Sequence, residues 1–142
     1  MKYTEQLKNS TLKSDRALLD LVEKCGVADL VNAQNMGKHY NRGDIFEMCL
    51  TRKHVKRDGL HSKSAGDTII EGVAYEVKYI TKKTSASVAL KGTSAPFHLI
   101  GFNDGEKITI RIIPTKSLKV SKGGKLKYQE NATLGKVQKN KA

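Results

Sequence analysis

The dipeptide Glu71-Gly72, set between two runs of strand-forming residues, constrains the fold of this chain more than any other sequence feature. A two-residue link that contains glycine commonly joins antiparallel strands, so residues 67–70 and 73–80 are predicted to form a β-hairpin. If the dipeptide is the whole turn, the two strands pair outward from it with no offset. The face on which each side chain lies then follows from its residue number.

This register places three polar side chains on one face of the predicted hairpin. Asp67 lies directly opposite Glu76, and such cross-strand partners have Cβ atoms about 4.5–5.5 Å apart. Lys78 lies on the same face, diagonal to Asp67, because successive side chains of a strand alternate between faces. The alternate residues of the second strand point the other way, into a predicted core: Tyr75, Val77 and Tyr79.

Two carboxylates and one amine on a single surface indicate a particular chemistry. Like charges at this distance repel each other unless a cation lies between them, and carboxylate oxygens are good ligands for Mg²⁺. A bound Mg²⁺ polarises a phosphodiester and lowers the pKa of a coordinated water. Lys78 could position or deprotonate that water, or stabilise the charge that develops on phosphorus. The alternative is a surface hairpin with a weak Asp67–Lys78 ion pair.

The charge of the chain favours a polyanionic partner. Among its 142 residues, Lys and Arg number 26 and Asp and Glu number 14, which gives a formal net charge of +12. Such an excess repels itself in the folded state unless a polyanion neutralises it, and nucleic acid is the leading candidate. The sequence has neither an apolar run of membrane-spanning length nor the apolar stretch of a secretory signal. A cytoplasmic protein without a membrane partner is therefore expected.

The positions of cysteine and histidine indicate neither a disulfide framework nor a zinc site. Cys25 and Cys49 are well separated and form no CxxC motif. The four histidines stand at no ligand spacing, which disfavours a histidine-metal nuclease. Both cysteines are interpreted as buried small hydrophobic residues.

Before the hairpin, the chain shows the apolar spacing of amphipathic helices. Helices are predicted over residues 14–25, 27–32 and 41–50, because apolar side chains recur on one face of each. Ser14 or Asp15 is expected to cap the start of the first helix.

After the hairpin, the pattern returns to strands. Strands over 97–102 and 107–113 predict a second hairpin, and residues 82–96 predict a loop or a short crossover helix. Residues 119–142 are rich in lysine and are expected to form a mobile basic tail. The predicted fold class is α/β, in a single domain over 1–118: a mixed central sheet built from the two hairpins and flanked by the N-terminal helices.

The hairpin sequence G-D-T-I-I-E-G-V-A-Y-E-V-K resembles the motif of the PD-(D/E)XK nucleases, in which an Asp at a strand start precedes E-x-K on the next strand. The resemblance implies that Asp67 and Glu76 bind metal and that the Val77 carbonyl contributes a further ligand. It also implies that Lys78 is the catalytic lysine. Glu47, in G-D-I-F-E-M-C-L, corresponds to the helical acid that many members use as a metal-binding or structural group.

Over about residues 14–118, the order of elements is similar to that of small dimeric type II restriction endonucleases. This likeness implies a restriction-endonuclease-like fold, a homodimer, and Mg²⁺-dependent hydrolysis of DNA, with Mn²⁺ as the expected substitute. The sequence departs from the family motif in two places. Gly66 stands where the family name has Pro, and no second acid directly precedes Asp67.

Basic and hydroxyl side chains flank the predicted centre in sequence. Arg and Lys neutralise the phosphate backbone, while Ser and Thr donate hydrogen bonds to phosphates or bases. Two alternatives stay open: a non-catalytic nucleic-acid-binding or inhibitor protein, and a junction resolvase that cuts branched DNA. The candidate contacts to double-stranded or branched DNA are Arg52, Arg57, Lys63, Lys82, Lys83, Ser85, Ser87 and Lys91.

Overall fold

The protein has an α/β fold with four α-helices and a mixed four-stranded sheet among the residues that its computed structural model describes. The described residues are 2–33, 42–55, 68–82, 85–87, 95–118 and 125–127. The chain divides into two compact units. A helical unit comprises Met1–Lys56 with Asn103–Ile108, and a sheet unit comprises Arg57–Phe102 with Thr109–Ala142.

The helical unit contains all four α-helices. The helices predicted over 14–25, 27–32 and 41–50 are confirmed to within one residue at each end, because their apolar residues form a shared core. The first α-helix was not predicted, since it is short and buries a single leucine, Leu7. The observed helices are α1 (Tyr3–Asn9), α2 (Lys13–Cys25), α3 (Ala28–Ala33) and α4 (Arg42–Thr51).

The predicted cap of α2 is wrong. Within residues 2–33, the N-cap position is Leu12, and no side chain there caps the first turn. Asp15 is instead buried inside the unit, where both carboxylate oxygens accept hydrogen bonds from the Arg42 guanidinium, at 3.1 Å from Nε and 2.9 Å from Nη2. Its carboxylate therefore joins α2 to α4 and is not available to the backbone of its own helix.

The turn of the second hairpin belongs to the helical unit. Asn103 is fully buried, and its amide donates a hydrogen bond to the Ser14 carbonyl at 2.9 Å. The Asn103 side-chain oxygen accepts from the Gly105 backbone at 2.8 Å, and Asp104 accepts from the backbone of Glu106 at 2.8 Å. The Asn and Asp side chains of the turn thus accept hydrogen bonds from its own backbone, as these residues commonly do in turns.

The sheet unit holds the strands of both predicted hairpins, apart from residues 103–108 around the second turn. The strands of the four-stranded sheet are β1 (Thr68–Ile70), β2 (Val73–Thr81), β4 (Phe97–Asn103) and β5 (Ile108–Pro114). Their order in the sheet is β1-β2-β4-β5, and both hairpins are confirmed. A 3₁₀ turn, Thr115–Ser117, follows β5.

Two short strands differ from the structure predicted from sequence. β3 (Ser85–Ser87) and β6 (Lys125–Lys127) pair antiparallel, with Ser85 opposite Lys127. β3 lies where a loop or crossover helix was predicted, and β6 lies in the segment predicted to be a mobile tail. Three-residue strands carry too little alternation to be detected from sequence, and their pairing joins segments that are distant along the chain.

Strand β2 is covered on both faces, although not evenly. Tyr75 is buried as predicted, whereas Val77 and Tyr79 on the same face are only half-buried. On the opposite face, Ile80 is fully buried, which the prediction of a single buried face did not anticipate. The reason is that β2 lies inside the sheet, beside the almost entirely buried β4. Across the described segments, no helix has both the length and the apolar character needed to cross a membrane.

Candidate active site on the first hairpin

The register of the first hairpin is the one expected from its turn. Ile70 pairs with Val73 and Thr68 pairs with Tyr75, so the strands leave the turn with no offset. Glu71 and Gly72 both have positive φ, at 49° and 83°. Two consecutive left-handed residues are the signature of a type I′ turn, whose twist matches that of the strands it joins. The predicted register is therefore confirmed for the described pairs.

Asp67, the first predicted site residue, lies outside the described residues. It directly precedes β1, and the register observed from Thr68 onward predicts that it lies opposite Glu76. Its place in the site remains a prediction of that register.

Glu76 and Lys78 lie on one face of β2, as predicted. The Lys78 Nζ atom is 3.6 Å from Oε2 of Glu76, and the two side chains are 23% and 17% exposed. Ion pairs that are partly shielded from water are screened less by salt than pairs on an open surface. The carboxylate and the amine therefore interact more strongly than an exposed pair, yet both remain accessible to a ligand.

The face that carries this ion pair is open at one end of the hairpin. Ile69 lies opposite Ala74, and therefore on the face of Glu76, and it is 68% exposed. Ile80, on the same face further along β2, is fully buried. Glu76 and Lys78 thus lie between a solvated end and a packed end, an arrangement that suits groups which must be both positioned and accessible.

His98 on β4 lies on the same face as Glu76 and Lys78, although it was not predicted as a site residue. The ring of Phe97 contacts that of Tyr75, with centroids 6.1 Å apart, so strand alternation places His98 on the face of Glu76 and Lys78. His98 is 1% exposed. Burial, together with the positive charge of Lys78, lowers the pKa of His98 to about 4. The imidazole is therefore neutral at pH 7.

The hydrogen bonds around His98 assign its tautomer. The Thr115 hydroxyl donates its one proton to the Ala95 carbonyl at 2.8 Å. The same hydroxyl oxygen lies 3.0 Å from Nδ1 of His98 and must accept there, so we assign the proton to Nδ1. Nε2 then carries a lone pair. His98 stands at no ligand spacing in the sequence, so the sequence did not indicate it as a site residue. The pairing of β4 with β2 places it on the face of the candidate site.

Glu47, the predicted helical acid, lies on α4 in the helical unit. Its side chain is half-buried, and its backbone carbonyl accepts a hydrogen bond from the Thr51 hydroxyl at 3.2 Å. Glu76 and Lys78 lie in the sheet unit. A catalytic role for Glu47 therefore remains a prediction of the family resemblance.

The predicted DNA contacts are distributed over both units. Arg52 is exposed just after α4 and has a positive φ of 58°, and Lys82 is exposed just after β2. Ser85 and Ser87 are the first and last residues of β3. The remaining predicted contacts lie outside the described residues: Arg57, Lys63, Lys83 and Lys91.

The donor set for Mg²⁺ is only partly described. No group of three or more acidic, histidine or cysteine side chains that could hold a metal ion occurs among the described residues. Glu76 supplies one carboxylate, and the Val77 carbonyl lies next to it on the strand. The predicted site needs Asp67 to complete it, so metal binding at these residues remains a prediction.

Comparisons with known proteins returned no match: no protein-family model, curated protein or solved structure is similar to this chain at a significant level.

Proposed function

We propose that this protein is a Mg²⁺-dependent endonuclease that hydrolyses phosphodiester bonds of DNA. The observation that carries the proposal is the zero-offset register of the first hairpin, together with the Glu76–Lys78 pair at 3.6 Å on one half-shielded face. If this register continued by one step, it would bring Asp67 opposite Glu76. Two carboxylates and an amine would then share one surface, which is the chemical minimum for metal-assisted hydrolysis of a phosphodiester.

Each residue of the site has a distinct task in this proposal. Asp67 and Glu76 would hold the metal with the Val77 carbonyl, and a bound Mg²⁺ would polarise the scissile phosphate and acidify a coordinated water. Lys78, held in place by Glu76, positions the attacking water and stabilises the charge that develops on the phosphate. His98 adds no competing charge because it is neutral. Lys78 is the cation to which the proposal assigns this chemistry.

The net charge of the chain supports a DNA substrate. A formal charge of +12 on 142 residues favours binding to a polyanion and makes that binding sensitive to salt. Arg52 and Lys82 are exposed at the surface, where a phosphate backbone would bind. Since one centre cuts one strand, we further propose a homodimer for double-strand cleavage.

The test is cleavage of supercoiled plasmid with and without Mg²⁺ or Mn²⁺. We expect the wild type to nick and linearise the plasmid when metal is present. Glu76→Gln and Lys78→Met should each lower the rate by about 10²–10⁴-fold, the contribution typical of a positioned acid or base. Glu71→Gln in the turn and Lys116→Met after β5 are matched controls, since both residues are exposed and lie outside the proposed site. A wild type that leaves the plasmid intact in both metals would contradict the proposal.

A non-catalytic nucleic-acid-binding protein is the second candidate. It is favoured by the ion pair itself, because the Lys78 amine already neutralises the one described carboxylate of the site. This candidate predicts binding that weakens steeply with salt, needs no metal, and is unchanged by Lys78→Met. Linear and branched duplexes should be compared in the same assay, because cleavage of branched DNA alone would indicate a junction resolvase.

A further inference from the structure

The helical unit brings together two cysteines that are well separated in sequence. Cys25 is the last residue of α2, and Cys49 lies in the last turn of α4. Both are free thiols, and their side chains are in hydrogen-bonding contact. From the sequence, both residues are interpreted as buried small hydrophobic side chains. That interpretation is correct for Cys49 and wrong for Cys25, which is only half-buried.

The contact between the thiols follows from the way in which α2 and α4 are aligned. Near the other ends of the same helices, Asp15 of α2 holds Arg42 of α4 through two hydrogen bonds. The two helix starts therefore meet at a buried carboxylate, and the two helix ends meet at the thiols. Between these points, Val22 and Met48 are fully buried. The two helices therefore lie side by side, and each carries a thiol near the same end of the pair.

The two thiols differ in accessibility. Cys49 is 3% exposed, and burial together with the neighbouring Cys25 raises the pKa of its thiol to about 12, against the opposing charge of Arg52. Cys49 is therefore protonated and shielded from solvent. Cys25 is half-buried at the end of its helix and is the thiol that a small reagent reaches first.

We propose that Cys25 and Cys49 form a reversible intramolecular disulfide when the protein meets a peroxide, and that this bond locks the ends of α2 and α4 together. This modification site does not rest on the proposed nuclease function, since neither thiol belongs to the candidate site on the first hairpin. A bond between two helices constrains the unfolded chain and thereby stabilises the folded unit.

The reaction balances with hydrogen peroxide as the oxidant. The Cys25 thiolate attacks one peroxide oxygen, the O–O bond breaks, and the released hydroxide takes up a proton to leave as water. The Cys49 sulfur then attacks the sulfenic sulfur of Cys25, so that the S–S bond forms and the S–O bond breaks. The Cys49 proton leaves with that hydroxide as a second water. Two thiols are oxidised, and one peroxide is reduced to two waters.

The experiment treats the full-length protein with hydrogen peroxide, quenches it, and alkylates it with iodoacetamide in denaturant. We expect the intact mass of the monomer to fall by two hydrogens, with no alkylation, and dithiothreitol should restore two alkylatable thiols. The midpoint of thermal unfolding should rise by roughly 5–15 °C in the oxidised protein. Cys25→Ser and Cys49→Ala are the matched controls, and neither should show the mass loss or the thermal shift.

Three results would overturn the inference. Both thiols could remain open to alkylation after peroxide, Cys25 could gain two oxygens as a sulfinic acid while Cys49 stays free, or the main product could be a disulfide-linked dimer. The mass of the wild-type protein decides among these results, so the test holds even if one variant fails to fold.

Discussion

The helical unit and the sheet unit each contain a carboxylate paired with a cation, and the two pairs are built differently. In the helical unit, Asp15 is 3% exposed at its side chain and receives two hydrogen bonds from Arg42, the shorter at 2.9 Å. In the sheet unit, the Lys78 Nζ atom lies 3.6 Å from Oε2 of Glu76, and both side chains are partly exposed to solvent. A closed bidentate pair serves the fold, whereas a looser pair at an open face can exchange its partner for a ligand.

The electrostatics of the neighbouring groups follow the same division. Burial alone would raise the pKa of Asp15, but hydrogen bonds from Arg42 and Ser10 and the charge of Arg42 outweigh it and lower that pKa. On the sheet face, the buried neighbour of Lys78 is a neutral histidine rather than an anion. The carboxylate of Asp15 is therefore paired closely with a cation. The amine of Lys78 lies beside Glu76 and the neutral His98.

The largest effect is expected from Lys78→Met, which removes the cation of the looser pair. If the sheet-face pair is functional, this change should lower plasmid cleavage by about 10²–10⁴-fold while the folded structure is retained. Methionine preserves most of the side-chain volume, so circular dichroism and the thermal midpoint should stay close to those of the wild type. An equal loss of cleavage in Lys116→Met would show that general charge, and not this site, is responsible.

The next effect concerns pH and His98. The folded pKa of about 4 lies below the ordinary 6.5, so the unfolded chain binds more protons between these values. Stability is therefore full above pH 6.5 and falls as pH drops toward 4, by about 3 kcal/mol from this one group. His98→Asn retains a donor to Thr115 and removes the titration, so its urea-unfolding free energy should depend less on pH. His54→Asn, the same substitution at an exposed position, is the matched control.

A smaller effect is expected from Asp15→Asn in the closed pair. The loss of the charge-assisted bonds should cost about 1–3 kcal/mol, since Arg42 is 42% exposed and can regain water. The urea midpoint should fall accordingly, whereas Asp20→Asn on the exposed face of α2 should change little. Because the folded pKa of Asp15 is lowered, its contribution is present above the pKa of the unfolded chain and is lost as pH falls through the folded pKa. A stability loss that does not shrink in acid would contradict this account.

The smallest effect should come from the turn that sets the register. Glu71 has a φ of 49°, a conformation that asparagine tolerates better than glutamate. Glu71→Asn should therefore stabilise the protein by about 0.5 kcal/mol in urea unfolding and leave any cleavage unchanged. A loss of stability would mean that the turn is held by contacts of the glutamate side chain.

Much of the local structure could be predicted from sequence. The hairpin register depends on two turn residues and their neighbours, and the boundaries of α2 depend on apolar spacing and on Gly26, whose φ of 69° ends the helix. These features arise from interactions within a few residues, so the pattern contains the necessary information. The same reasoning placed Glu76 and Lys78 on one face, and the structure confirms it.

The sequence by itself determined a basic α/β protein with a type of turn that aligns an acid and an amine. Only the tertiary structure decided that Asp15 pairs with Arg42, that His98 lies beside Lys78, that β3 pairs with β6, and that two distant thiols meet. The physical reason is the range of the interactions. Turn and helix preferences act between near neighbours, whereas these four contacts join segments that come together only when the cores of the two units form.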